Sequence, residues 1–246
     1  MTDNATREDE KSSALMKLIR AIASHDQQGV SHLLEASPGL ARLASRIGAT
    51  RQVSTEYYFK EIEHYVYAGD TALHIAAAAY ALEISKSLLD KGANVRARNR
   101  RGAEPLHYAV DGIPDSHTWN PAAQKAIVEC LIEAGADPNS PDKGGVTALH
   151  RAVRTRCADA VRALLSNGAD PRRRNGTGST PLHLAVQNTG RGGTGSSASR
   201  EQQREIILLL LKHGARPTDK DASGRSVTES VGGDWIHDVL KIPGKR

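Results

Sequence analysis

The stretch Gly69-Asp-Thr-Ala-Leu-His-Ile-Ala76 decides how this chain is read, because it returns three more times. It recurs as Gly102-Ala-Glu-Pro-Leu-His-Tyr-Ala109, Gly145-Val-Thr-Ala-Leu-His-Arg-Ala152 and Gly178-Ser-Thr-Pro-Leu-His-Leu-Ala185. Each copy is followed by a second block: SLLDKGA (87–93), CLIEAGA (130–136), ALLSNGA (163–169) and LLLKHGA (209–215). The opening glycines are spaced 33, 43 and 33 residues apart, and a degraded fifth copy opens at Gly224, after an interval of 46. Self-similarity at a period of about 20–50 residues marks a repeat architecture.

The pattern resembles the ankyrin repeat, which shares the T-P-L-H-x-A signature and a period of about 33 residues. The resemblance covers residues 69–223 strongly and both flanks weakly. It implies an all-α fold, an ankyrin-repeat solenoid of stacked helix-turn-helix units with inter-repeat hairpin loops and two enlarged helix–helix loops. On this reading a single domain spans 12–246. It comprises a capping helix pair (12–37), an aromatic insertion (38–68), repeats at 69–101, 102–144, 145–177 and 178–223, and a C-terminal cap (224–240). Residues 1–11 read as a disordered tail.

The residues explain why such a unit works. Thr or Glu opens the first helix as a cap, and the following Pro105 and Pro181 have their torsion preset for a helix start. Alanines at 76–79, 109, 152 and 185 let inner helices approach closely. The second helix is amphipathic, with Ile84/Leu88/Leu89, Ile127/Leu131/Ile132 and Ile206/Leu210/Leu211 in register. Gly92, Gly135, Gly168 and Gly214 stand where helices end in a left-handed residue. One repeat cannot bury its apolar face alone, so stacking supplies the core. Pro38 stops the first capping pair, and Asp234 can cap the last helix.

Composition fits this scheme. The 246 residues carry 39% hydrophobic side chains and a net charge of +5, too little charge for charge-driven disorder. Only nine residues are aromatic, so burial must rest on Ala, Leu, Ile and Val. The longest apolar run is Ile206–Leu211, far short of a membrane span. The polar start MTDNATREDEKSS does not read as a secretory signal. Cys130 and Cys157 cannot form a disulfide framework and match no zinc spacing. These signs lead to the expectation of a cytoplasmic protein, and the polar caps to that of a monomer.

Departures from the plain repeat carry the functional information. The second repeat holds about 10 extra residues and the fourth about 13 relative to the period, both between inner and outer helix. The first addition is Gly112–Pro121, in which Asn120-Pro121 reads as a cap and first-turn proline; the second is Asn188–Ser197, with Ser197 or Ser199 as cap. Between them the third repeat carries Arg151, Arg154 and Arg156 around its turn. Gly-rich backbone and arginine both suit anions, so Trp119, Arg154, Arg156 and Arg191 form a candidate site for a small anionic or phosphorylated ligand, conceivably in an enzyme. The alternative is a pair of tolerated loops with solvated arginines. Pro38–Ala68 holds Tyr57, Tyr58, Phe59, Tyr65 and Tyr67. These residues suit a satellite core tying the cap to the stack, or equally a partner anchor, and FKEIEHYVY reads as a helix leading into a hairpin strand.

Catalytic chemistry finds little support. His74, His107, His150 and His183 share one repeat position, and the ankyrin resemblance implies that they tie successive loops together. Asp111, Asp115 and His117 lie in one loop and make a poor metal set. Cys157 beside Arg154 and Arg156 has a setting that can lower its pKa, but no nucleophile elbow appears. Between residues 96 and 174 there are 13 basic and 9 acidic residues, and basic side chains do not alternate with aromatics as single-strand binding favours. The reading is therefore a non-enzymatic interaction module with no cofactor, no metal, no membrane partner and no nucleic-acid partner. The resemblance places binding on the concave face, at the tips Asn99–Ala103, Asp142–Val146 and Asn175–Ser179, with Arg98, Arg101, Arg151 and Arg174 facing an acidic protein partner.

Overall fold

In a computed structural model, residues 2–112, 116–187, 197–232 and 234–240 are described. Contacts divide the chain into two compact units, Met1–Ala109 with Ala122–Asp137, and Val110–Pro121 with Pro138–Arg246. Such a division suits a repeat array, in which each element packs on its neighbours.

The first unit begins with α1 (Thr2–Ala23) and α2 (Gln27–Ala36). The tail expected to be disordered is instead the start of α1. That stretch lacks Gly and Pro, carries acidic residues where a helix N-terminus favours them, and is tied at Glu8 to Arg46. Inner helix α3 (Ala72–Ala78) packs on α1, on its own outer helix α4 (Leu82–Asp90) and on the next inner helix, α5 (Pro105–Ala109). Every residue of α3 is buried, which its four small Ala side chains permit. The outer helix α6 (Pro121–Glu133) follows. In the second unit the inner helices α7 (Ala148–Arg154) and α9 (Pro181–Ala185) pack together. They are backed by the outer helices α8 (Ala158–Ser166) and α10 (Ser197–Lys212), and α11 (Asp234–Leu240) closes on α10.

The repeated histidine joins one repeat to the next. His74 Nδ1 accepts from the Thr71 backbone N–H at 3.1 Å, which leaves Nε2 to carry the proton and donate to the Ala103 carbonyl at 3.1 Å. His150 repeats this with Thr147 N–H at 3.3 Å and the Ser179 carbonyl at 3.1 Å, and His183 with Thr180 N–H at 3.1 Å and the Arg225 carbonyl at 3.4 Å. Each ring caps its own helix and holds the following loop.

Outer helices come in two lengths. The uninterrupted repeats give nine-residue helices, α4 and α8, whereas the inserted repeats give 13 residues in α6 and 16 in α10. The additions fall between inner and outer helix, as the spacing indicates. The extra N-terminal turn buries a glutamine in each. Gln203 Nε2 donates to the Ala185 and Gln187 carbonyls at 2.7 and 2.8 Å, satisfying the end of α9. Gln124 Nε2 donates to Tyr80 Oη at 3.3 Å.

The insertion at 38–68 folds as a short hairpin, β1 (Tyr58–Phe59) against β2 (His64–Tyr65), in antiparallel register Tyr58↔Tyr65 and Phe59↔His64. The helix expected in FKEIEHYVY is only the 3₁₀ turn Lys60–Ile62, ended by Glu63 in a left-handed conformation, and the insertion holds two further 3₁₀ turns, Pro38–Arg42 and Thr55–Tyr57. The satellite core is aliphatic, from Leu40, Ala41, Ala49, Ile62 and Val66, and Tyr58 remains 40% exposed. The Ala49 N–H bonds the Val66 carbonyl within the insertion, and the Ser45 N–H bonds the Asp70 carbonyl of the first repeat, each at 2.7 Å. Buried Asp70 secures the junction by accepting from the Tyr67 N–H, the Asn99 amide and the Tyr108 hydroxyl.

Two predictions follow from loop and cap geometry. Gly69 has φ +90°, and a Cβ there would lie 2.6 Å from Asn99 Cα, whereas Gly135 at φ +98° has nothing within 4 Å of that position. Gly135→Ala should cost about 1 kcal/mol, the penalty of the backbone conformation alone, and Gly69→Ala clearly more, as read by urea unfolding. Burial lowers the pKa of His74 and His150 below the ordinary 6.5. Below that pH the unfolded chain takes up protons that the folded chain refuses. Stability should therefore be level above pH 6.5 and fall beneath it, by at most about 1.4 kcal/mol per pH unit for each histidine. A melting series on His74→Asn/His150→Asn should show a lower plateau and a shallower decline.

Candidate functional site

The loop tips share one construction. Asn99 Oδ1 accepts from the N–H groups of Arg101 and Ala103, Asp142 Oδ1 from Gly144 and Val146, Asn175 Oδ1 from Thr177 and Ser179, and Asp221 Oδ1 from Ser223 and Arg225. An Asn or Asp three residues before Gly102, Gly145, Gly178 and Gly224 thus fixes the tip as an Asx turn. That residue is readable in the sequence, and the signature centred on Thr, Leu and His passed over it. Consecutive tips are also bonded, Arg100 N–H to the Ala68 carbonyl at 2.8 Å and Gly176 N–H to the Gly144 carbonyl at 2.7 Å. The tips present side chains from a fixed backbone.

The four arginines expected to face a partner have different surroundings. Arg98 donates to the buried carboxylate of Glu104 at 3.0 Å and is half exposed. Arg101 lies over the Tyr67 ring, 5.1 Å from its centroid, beside Arg100 at 5.4 Å, which also donates to the Ala49 carbonyl. Arg174 is exposed. Arg151 is not a surface ligand. Its side chain is 12% exposed and bonds Asp111 at 3.0 Å and Asp142 at 3.2 Å. Its position one turn into α7 aims it inward between two carboxylates, which sequence spacing could not show.

Asp142 links this cluster to a tip. Burial alone would raise its pKa, but the Val146 and Gly144 amides and then Arg151 outweigh that and hold it below the ordinary carboxylate value. Neighbouring Arg172 is similarly occupied, donating through Nε and Nη2 to both oxygens of Asp219 at 2.9 and 2.8 Å. Arg173 and Arg174 are exposed and, among the described residues, form no ion pair. Arg173, which the sequence reading did not single out, is exposed beside Arg174.

At the inserted edge, Trp119 is half-buried, Arg154 exposed and Arg156 half-buried; Arg191 and Asp115 lie outside the described residues. Arg156 has φ +58° and donates through Nη2 to the Gln187 carbonyl at 3.3 Å. Its Nη1 is buried without a hydrogen-bond partner among the described residues. Trp119 interacts with the Cys157 thiol, whose pKa is pushed up to about 11 chiefly by burial. The lowered value that the adjacent arginines suggested is therefore overturned: desolvation outweighs the hydrogen bonds from the Ala160 and Asp159 backbone and from Trp119. Among the described residues, no group of three or more His, Cys, Asp or Glu gathers as a metal set, and no helix is long and apolar enough to cross a membrane.

A family model for ankyrin repeats in three copies matches residues 18–117 and 120–221, more than half of the chain. The chain belongs to the ankyrin-repeat family. It is similar to the E3 ubiquitin-protein ligase KEG of Arabidopsis thaliana, 34% identical over 148 residues that cover 58% of this chain and 9% of that protein. It is 39% identical over 89 residues to the ankyrin repeat and LEM domain-containing protein 1 homolog of Caenorhabditis elegans, covering 36% of this chain and 10% of that one. With the B-cell lymphoma 3 protein homolog of Mus musculus it shares 29% identity over 182 residues, 74% of this chain and 37% of the relative. The chain thus spans only about a tenth of the first two relatives.

In this ankyrin-repeat protein, Arg151→Ala should leave two nearly buried carboxylates without their cation. Unfolding at pH 7 should lose about 3 kcal/mol, and the loss should shrink as pH falls and the carboxyls protonate. Arg174→Ala should change stability by less than about 0.5 kcal/mol.

Proposed function

We propose that the chain is a non-enzymatic interaction module that binds a protein partner presenting an acidic surface. The observation that carries this reading is the adjacent pair Arg173 and Arg174, exposed beside a rigid Asx turn and without an ion pair among the described residues. Charge held in place at a fixed tip steers and selects an oppositely charged partner. Membership of the ankyrin-repeat family supports a general role in protein–protein interaction. Arg101, held over Tyr67, offers a second cationic contact in the first unit. Two free cysteines accord with a cytoplasmic setting, and we propose that the chain works there as a monomer.

A second reading, a small anionic ligand at Trp119, Arg154 and Arg156, is favoured by a separate observation: the buried Nη1 of Arg156 has no acceptor among the described residues.

The partner reading is tested by affinity capture on the immobilised chain, followed by titration of the captured protein. Arg173→Glu/Arg174→Glu should weaken binding at least about tenfold, the effect of about 1.4 kcal/mol, and steepen its response to salt. The charge-matched pair Arg204→Glu/Lys212→Glu should have little effect. Equal loss from both pairs, or from neither, would sink the proposal.

A further inference from the structure

Residues 57–67 read Tyr-Tyr-Phe-Lys-Glu-Ile-Glu-His-Tyr-Val-Tyr, and the hairpin sorts them by alternation. Tyr58 and Tyr65 are cross-strand partners, so they share a face, and Tyr67, two residues on, returns to it. The residues between point the other way: Val66 is fully buried, and the His64 ring lies 4.4 Å from that of buried Tyr108. The outward face is therefore a row of three neighbouring rings, with centroids 4.8 Å apart from Tyr58 to Tyr65 and 6.2 Å from Tyr65 to Tyr67. At its Tyr67 end stand Arg101 and Arg100, 5.1 and 5.4 Å from that ring.

The row is firmly held and left open. Gly48 packs so closely on Tyr67 that a Cβ there would lie 2.6 Å from Tyr67 Cα. Arg100 is fixed at both ends, its N–H on the Ala68 carbonyl at 2.8 Å and its guanidinium on the Ala49 carbonyl. Both arginines are exposed, and among the described residues neither forms an ion pair. Tyr58 is 40% exposed, and Ile47, beside Gly48, is 53% exposed. Single exposed apolar side chains are ordinary. Among the described residues, however, three of the four large ones, Ile47, Val53 and Tyr58, fall within residues 47–58. Apolar side chains gathered on one surface mark an interaction site.

Charge at the two ends of the row selects the occupant. Residues 56–63, at the hairpin end, hold three glutamates against one lysine, whereas the other end offers two arginines. A nucleic-acid strand lying along the row would bring its phosphates against those glutamates, and rings this close leave no gap for a base between them. Three tyrosines, each about 150–250 Å² when fully buried, fall short of the roughly 800 Å² a side of a stable dimer, so a second copy of the chain is a poor occupant. An extended peptide fits. Its alternate side chains are about 6.6 Å apart, close to the ring spacing, and carboxylates at one end meet the two guanidiniums. We propose that the face formed by Tyr58, Tyr65 and Tyr67 with Arg100 and Arg101 docks an extended peptide segment of the protein partner. That segment places apolar side chains on the tyrosines and two or more carboxylates on the arginines. The inference rests on the interaction-module reading and does not involve the tip of Arg173 and Arg174.

The test pans a displayed library of random nine-residue peptides on the full chain. The enriched peptide, synthesised with a fluorescent label, is then titrated by anisotropy. Enriched sequences should carry apolar residues at alternate positions next to two or more carboxylates, and raising salt should weaken the complex. Arg101→Gln and Tyr58→Ser change exposed side chains and should melt as wild type does, yet each should weaken binding about tenfold. Arg173→Glu/Arg174→Glu should bind the peptide as wild type does, which separates this face from the tip reading. No enrichment, enrichment without carboxylates, or a peptide that tolerates both Arg101→Gln and Tyr58→Ser would overturn the proposal. So would a peptide lost only in Arg173→Glu/Arg174→Glu, tighter binding of an oligothymidylate of equal length, or sedimentation of wild type as a dimer that Tyr58→Ser dissolves.

Discussion

The bonds from His74, His150 and His183 to the loop that follows each are the constraint on which the rest of each unit depends. A ring nitrogen that accepts from the Thr N–H has to leave its other nitrogen protonated, so one side chain both caps an inner helix and fixes the following tip. Burial keeps the ring neutral, which preserves that assignment of roles. Where Glu104 replaces the threonine, His107 Nδ1 still accepts from its backbone N–H at 3.1 Å, while the carboxylate turns to Arg98. The backbone geometry is therefore kept even when the hydroxyl is absent.

On this frame the two repeat lengths have different consequences. A lengthened outer helix can reach back over the inner helix of its own repeat, and Gln203 uses that reach to satisfy the last carbonyls of α9. A short repeat has no such turn of helix and closes through a left-handed residue, Tyr80 or Arg156. The inserted loops thus alter the chemistry of their repeats through helix length as well as through their own residues.

Charge is distributed by the same logic. A count of arginines suggests a broad basic surface, yet several are engaged inside the fold: Arg151 by two aspartates, Arg172 by Asp219, Arg98 by Glu104. Arg173 and Arg174 stay exposed, without an ion pair among the described residues, on a tip whose backbone is already bonded. Tyr67 holds Arg100 and Arg101 in a comparable way, by ring face instead of carboxylate. The tyrosines of the insertion serve this surface and the hairpin more than the core, which aliphatic residues fill.

The amino-acid sequence by itself determined the repeat, its period, the helix pairs and the place of both insertions, because these follow from local signals: a capping Thr, a preset Pro, small inner residues and a glycine at each turn. It could not separate an arginine that meets a partner from one that closes a buried ion cluster, since Arg151 and Arg174 look alike until α7 turns one of them toward Asp111 and Asp142. Nor could it forecast Cys157, where neighbouring charge argued one way and burial decided the other. Only the tertiary structure settled these points, because burial and pairing depend on which side chains distant parts of the chain bring within a few ångströms.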